Sequence, residues 1–193
     1  ALHSVFAAAQ KPQIGYDDYI KGFSSKKSDG EYSVLIEAEN PTLKSNRSII
    51  SGTDRSGPDT THNRGTKNDA FSLKLNILSE ENFKYQNQWV EYDFDVEKSG
   101  FYKIAMRVKQ TLQGGLFCSR KIYIDGEVPF KEFNSIEFEY SDSWYIKELG
   151  DDEPYLVWLE KGSHTIRVEV TTGEMAELIT ELSSEMEQLN TIY

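Results

Sequence analysis

Apolar and polar positions alternate with a period of two along much of the chain. In Trp89–Val96, Val90, Tyr92, Phe94 and Val96 interleave with Trp89, Glu91, Asp93 and Asp95. In Ala70–Leu78, Phe71, Leu73, Leu75 and Ile77 interleave with Ser72, Lys74 and Asn76. Successive side chains of a strand point to opposite faces, so this pattern predicts strands with one buried face. Ser33–Glu39, Phe101–Val108, Lys121–Ile124, Pro154–Leu159 and His164–Thr171 read the same way. Turn signals separate them: Ser99-Gly100, Asp125-Gly126 and Glu160-Lys161-Gly162-Ser163. Many short strands joined by turns predict an all-β sandwich or jelly roll. Nothing between Glu31 and Thr171 has a long helical period, which disfavours a βαβ nucleotide fold.

Three stretches break the pattern. Residues 1–31 have no clean period, and Ser24-Ser25-Lys26-Lys27-Ser28-Asp29-Gly30 reads as a linker. Pro41–Asp69 is rich in Ser, Thr, Asn, Asp and Gly, and a loop that long points to function or mobility. At the end, Met175, Leu178, Ile179, Leu182, Met186, Leu189 and Ile192 recur at helical spacing, behind a capping box with Thr171 as N-cap and Glu174 reaching back. The expected organisation is therefore an arm over 1–31, a β module over 32–172 and an amphipathic helix over 173–193. The missing stop signal at Tyr193 leads to the expectation that the helix is truncated and docks on the rest of a longer chain. Val5-Phe6-Ala7-Ala8-Ala9 resembles the tail of a signal peptide, which favours export.

Charge and composition narrow the function. The formal net charge of −11 argues against nucleic acid or an anionic membrane as partner, since both need a basic patch. No apolar run approaches the ~18 residues of a membrane span, so no membrane insertion is expected. The lone Cys118 excludes an internal disulfide. His3, His62 and His164 lack metal-ligand spacing, and there is no nucleophile elbow or P-loop. On a strand, Glu37 and Glu39 of Ile36-Glu37-Ala38-Glu39 would share a face, where like charges need a Lys, an Arg, water or a hard cation such as Ca²⁺. Phe117, Tyr140, Trp144 and Tyr145 fall near expected loops. Exposed rings with polar neighbours suit the apolar faces and hydroxyl rims of sugars; buried, they would only close the core.

The chain resembles the family 6 and family 35 carbohydrate-binding modules, which are galactose-binding-like jelly rolls. The resemblance covers about residues 33–171. It rests on Ile36-Glu37-Ala38-Glu39, on Trp89–Val96, on Ser99–Arg107, on Ile122-Tyr123-Ile124-Asp125-Gly126, and on Leu159–Val168. It implies a structural calcium at Glu37 and Glu39, but the Asp that completes that site on a later strand has no match here. It also implies sugar stacking on Trp144, then Tyr140 and Phe117, with Tyr85 of the Ser79–Gln88 loop as an outlying candidate. The resulting expectation is a non-catalytic carbohydrate-binding module of a secreted or cell-surface bacterial protein. Two rivals stand beside it: a structural or protein-interaction jelly roll of a larger solute-binding-like protein, and a glycoside-active enzyme with two facing acids.

Overall fold

The computed structural model describes residues 14–57, 75–79, 81–111, 114 and 116–173. These residues form a short helix α1 (Tyr16–Gly22) and strands β1 (Leu43–Lys44), β2 (Ser51–Gly52), β3 (Ile77–Leu78), β4 (Trp89–Val96), β5 (Gly100–Lys103) and β6 (Ala105–Gln110). They continue with β7 (Phe117–Ile124), β8 (Ile136–Glu139), β9 (Ser141–Glu148), β10 (Leu156–Leu159) and β11 (Gly162–Thr171). The fold is an all-β antiparallel sandwich of the jelly-roll class.

One layer is a five-stranded sheet in the order β1-β4-β11-β7-β8. The alternation in β4 works as its sequence requires: Val90, Tyr92 and Val96 are buried on the inner face, beside Ile166 and Val170 of β11 and Ile122 of β7. The outer face of the same three strands carries charge. Glu91 of β4 is buried there, but Arg167 of β11 reaches it with Nε at 2.8 Å. The Arg167 guanidinium also lies 4.1 Å from the Trp89 ring centroid, so the buried carboxylate has its countercharge and the cation has an aromatic face.

The opposing layer is narrower. β10 pairs with β5 and β9 with β6. Glu148 lies opposite Ala105, the Leu149 N–H donates to the Ile104 carbonyl (2.9 Å), and Leu156 lies opposite Lys103. β9 and β10 thus follow one another along the same side of residues 100–110, interrupted by the excursion 149–155. Gly150 closes the neck of that excursion, where a Cβ would sit 2.2 Å from the Glu153 carbonyl oxygen. Among the described residues this layer is two strands wide and faces a sheet of five.

Residues 14–31 were expected as an arm, and instead they pack on the sandwich. The Tyr16 ring lies against Phe130 and Tyr155 at centroid distances of 5.1 and 4.6 Å. Tyr19 contacts Phe130 at 5.1 Å, and Phe23 stacks on Trp158 at 6.1 Å. The signal for this was the spacing of Tyr16, Tyr19 and Phe23, three and four residues apart on one helical face. Both tyrosines also serve the backbone. The Leu156 N–H donates to the Tyr16 hydroxyl and the Trp158 N–H to the Tyr19 hydroxyl, each at 3.0 Å. The outer edge of β10 is therefore closed by side chains, which protects it from pairing with another chain. Tyr19→Ala removes a ring and an edge partner together and is expected to cost about 3 kcal/mol in chemical unfolding. Tyr19→Phe, losing only the bond, should cost about 1 kcal/mol. Equal, negligible effects would show that α1 does not hold the edge.

Two other expectations change. Ser33–Glu39 was expected as a strand; residues 31–37 form no strand, and the chain turns at Ala38–Glu39. The turn closes with the Asn40 N–H on the Glu37 carbonyl (3.1 Å), while the Tyr92 hydroxyl donates to the Ala38 carbonyl (2.8 Å). The helix expected over 173–193 lies outside the described residues except for its first residue. Gly173 has φ of 59°, in the left-handed region, so no helix runs through it from a cap at Thr171. Val5–Ala9 and Phe71–Leu73 also lie outside the described residues.

The Asp125-Gly126 turn is built as its sequence predicts, with φ of 52° and 82° and reciprocal bonds between Ile124 and Glu127. Asp125 then ties the turn to β11. Its Oδ1 accepts the Thr165 N–H (2.9 Å), and its Oδ2 lies 2.7 Å from His164 Nδ1. His164 Nε2 lies 2.7 Å from the Glu160 carbonyl. Burial alone would lower the His164 pKa, but two acceptors, the Glu160 carbonyl and the Asp125 carboxylate, outweigh it and raise the pKa above 6.5. A raised pKa stabilises the fold fully below the unfolded value of about 6.5 and is lost as pH climbs through the folded value. Thermal midpoints should therefore fall as pH rises above about 6.5, and His164→Gln should remove this dependence. A dependence unchanged in His164→Gln would assign the titration elsewhere.

Candidate functional site

β9 carries Trp144, and its indole N–H meets Asp54 of the polar stretch that begins at Pro41. The organising residue is Asp54. Its Oδ1 accepts the Ser56 N–H (2.8 Å) and the Ser56 hydroxyl (2.7 Å), an Asx turn closed on itself. Its other oxygen, Oδ2, accepts the Trp144 Nε1–H (3.1 Å) and the Lys109 ammonium (3.2 Å). Asn76, one residue before β3, grips the Asp54 backbone from both sides. Its Oδ1 accepts the Asp54 N–H and its Nδ2 donates to the Asp54 carbonyl, each at 2.9 Å. The Ser56 bonds, then Lys109 and Trp144, hold the Asp54 carboxyl far below the usual carboxylate range against a smaller opposing effect of burial.

The result is a fixed aromatic plate with polar groups around it. The Arg107 guanidinium lies 6.0 Å from the Trp144 ring centroid. A cavity of about 450 Å³ opens beside the plate, lined by Trp144, Asp54, Lys109, Ser79, Glu81 and Asn82 among others. Trp144 is half-buried, with its N–H engaged.

Sequence reasoning placed Trp144 and Phe117 in loops; both lie on strands, Trp144 within β9 and Phe117 at the start of β7. Tyr140 does occupy the one-residue step between β8 and β9 and is 43% exposed. Tyr85 is 64% exposed, with the Lys84 ammonium 5.7 Å from its ring centroid. Trp144, Phe117 and Tyr85 line one large cleft between the layers, and Tyr140 does not. Asp54, Lys109 and Asn76 were missed. Their signal was available only in outline, in the Asp-x-Ser turn of the long polar stretch.

Glu37 and Glu39 do not act as the expected same-face strand pair, because no strand forms there. Glu39 is buried beside Tyr92, where burial and then the Glu39 charge push the phenol pKa well up. Glu37 is half-buried and accepts a bond from the Asn40 amide (3.3 Å). Among the described residues no group of three or more His, Cys, Asp or Glu is placed to hold a metal. Calcium takes six to eight oxygens, so calcium at Glu37 and Glu39 stays an expectation that chelation tests, and no step below depends on a cation. Thermal melting with calcium and with excess chelator should coincide. A chelator-dependent loss of several degrees, abolished in Glu37→Gln, would contradict this.

No protein-family model and no curated protein matches the chain. Solved structures similar to it include a family 35 carbohydrate binding module from Clostridium thermocellum. That likeness has 16% identity and a TM-score of 0.37, and covers 45% of this chain and 61% of that one. A Paenibacillus cycloisomaltooligosaccharide glucanotransferase complexed with cycloisomaltoheptaose matches over 72% of this chain and 16% of that one (17% identity, TM-score 0.47). A Podospora anserina GH26-CBM35 β-(1,4)-mannanase matches over 47% and 18% (14% identity, TM-score 0.36). The chain thus spans less than two thirds of each. The likeness concerns fold, and the site stands on its own residues.

Proposed function

We propose that the domain is a non-catalytic carbohydrate-binding module of a secreted or cell-surface bacterial protein, and that the cavity beside Trp144 receives the sugar. The observation that carries this reading is the Trp144 plate held edge-on by Asp54 Oδ2, with Lys109 and Arg107 beside it. A sugar ring offers an apolar C–H face to the indole and hydroxyls to the charged groups around it. Because the indole N–H and Asp54 hold each other, the plate is pre-ordered and little rotamer entropy is lost on binding.

Asp54 is held ionised, which suits a hydrogen-bond acceptor beside the plate.

Glycan-array screening followed by affinity electrophoresis tests the proposal. The intact chain should be retained on at least one polysaccharide. Trp144→Ala should weaken that retention tenfold or more, about 1.4 kcal/mol, with Trp144→Phe in between because the ring remains while the N–H is lost. Retention that survives Trp144→Ala, or the absence of any retention by the intact chain, would overturn the proposal in favour of a structural or protein-interaction domain.

A further inference from the structure

A hydrogen-bonded indole is only as fixed as its acceptor. The acceptor for Trp144 is Asp54, on the stretch after β2, where the chain forms neither strand nor helix. A carboxylate offers about four lone-pair sites. At Asp54 they are taken by the Ser56 N–H and hydroxyl on Oδ1, and by the Lys109 ammonium and the Trp144 N–H on Oδ2. Asp54 is thereby filled, and what it contributes to a ligand passes through Trp144 and Lys109.

Asp54 is held in turn by a side chain from a separate stretch. β2 and β3 pair only through Ser51 with Leu78 and Gly52 with Ile77. The Asn76 N–H adds a backbone bond to the Gly52 carbonyl (3.0 Å). Beyond it the Asn76 carboxamide takes over. It presents an acceptor and a donor, as a peptide unit does, and meets the Asp54 N–H and the Asp54 carbonyl at 2.9 Å each. Gly57 shows how closely this amide is enclosed. A Cβ there would lie 2.7 Å from Asn76 Nδ2 and 3.0 Å from the Asp54 carbonyl oxygen, to which the Gly57 N–H donates. A side chain thus carries the β2–β3 pairing onto the Asp54 turn, and Asp54 carries it on to β6 and β9. Asn76 itself is not among the residues that line the cavity beside Trp144.

We propose that Asn76 is a positioning residue of the sugar site: it touches no sugar, and it sets the Trp144 plate by fixing the Asp54 backbone. The proposal rests on the sugar reading for what the plate receives, and on these hydrogen bonds for how the plate is held. Without the carboxamide, Asp54 loses both ties to its backbone, and its carboxylate no longer has one set position. The indole N–H then exchanges a fixed partner for water, and the ring has to be ordered when a ligand arrives. The β2–β3 pairing is short and lies apart from the five-stranded sheet, so the loss falls on the plate and not on the core.

The test uses the full chain carrying Asn76→Ala or Asn76→Asp; the second keeps the acceptor and loses the donor. Three quantities are read: the thermal midpoint, solvent exchange of the tryptophan indole N–H groups, and affinity for the glycan that the wild-type chain retains. In Asn76→Ala the Trp144 indole N–H should exchange about tenfold faster, with Trp89 and Trp158 unchanged. The midpoint should stay within about 3 °C of wild type. Glycan affinity should fall about fivefold, the worth of one hydrogen bond. Asn76→Asp should lie between Asn76→Ala and wild type in both exchange and affinity. In a Trp144→Phe background, which has no N–H for Asp54 to hold, adding Asn76→Ala should change affinity less than about twofold. Unchanged Trp144 exchange in Asn76→Ala would overturn the proposal. Equal acceleration at all three indoles would also overturn it, since that marks a general loss of stability. So would an affinity loss in Trp144→Phe as large as in wild type. If the wild-type chain retains no glycan, the sugar reading fails, and the indole exchange still decides whether Asn76 holds the plate.

Discussion

A β-strand can hide its side chains on one face, but its backbone edge has to be satisfied separately. In this domain that requirement organises nearly everything else. The five-stranded sheet presents an apolar face built from Val90, Tyr92, Ile122, Ile166 and Val170. That face needs a cover, and among the described residues the cover is two strands wide. Its width decides where the protein is closed, where it is open and which loops come near the opening.

On the closed side, the N-terminal segment does the work of a third strand without being one. α1 has seven residues, no buried residue and no side-chain cap at Gly15. It is too short to be stable by itself. Packing keeps it in place: the Tyr16, Tyr19 and Phe23 rings interlock with Phe130, Tyr155 and Trp158. In return, two phenol oxygens accept the outward N–H groups of β10. On the other side, the β5 edge is met at its start by Ser28, whose hydroxyl accepts the Phe101 N–H. The aromatic plate of Trp144 stands where the second layer meets the polar loop, so the candidate sugar site is also a consequence of how the layers are joined. Asp54 makes that junction rigid, since it holds Ser56, Lys109 and Trp144 at once.

The strands were the most legible part of the sequence. β4 and β11 could be read to within two residues because their alternation is strict and each buries one face. β8 and β9 went unread. Ser141–Glu148 is half exposed and rich in polar residues, and its strand character comes from pairing with β6 and not from burial. The same fact explains why Trp144 was assigned to a loop. Residues 14–31 misled in the opposite direction, because their Lys, Ser and Gly content concealed three rings with helical spacing. For the site, the aromatic member was visible as a residue type. Its partners were not, since Asp54, Asn76 and Lys109 are brought together from three separate stretches, which only the fold determines. Glu37 and Glu39 show the limit of motif reasoning: the two acids are spaced as expected, but the strand that would place them on one face does not form.

Sugar received on the Trp144 indole would change the surroundings of that ring and of no other tryptophan. The most direct measurement is a glycan titration followed by the three tryptophan indole N–H resonances in a nitrogen–proton correlation spectrum. Trp89 is covered by Arg167 and Trp158 by Phe23 and Phe101, so both serve as internal controls. The Trp144 resonance should shift saturably with the glycan that the chain retains, while the other two stay in place. A saturable shift at Trp89 or Trp158 with Trp144 unmoved would contradict it.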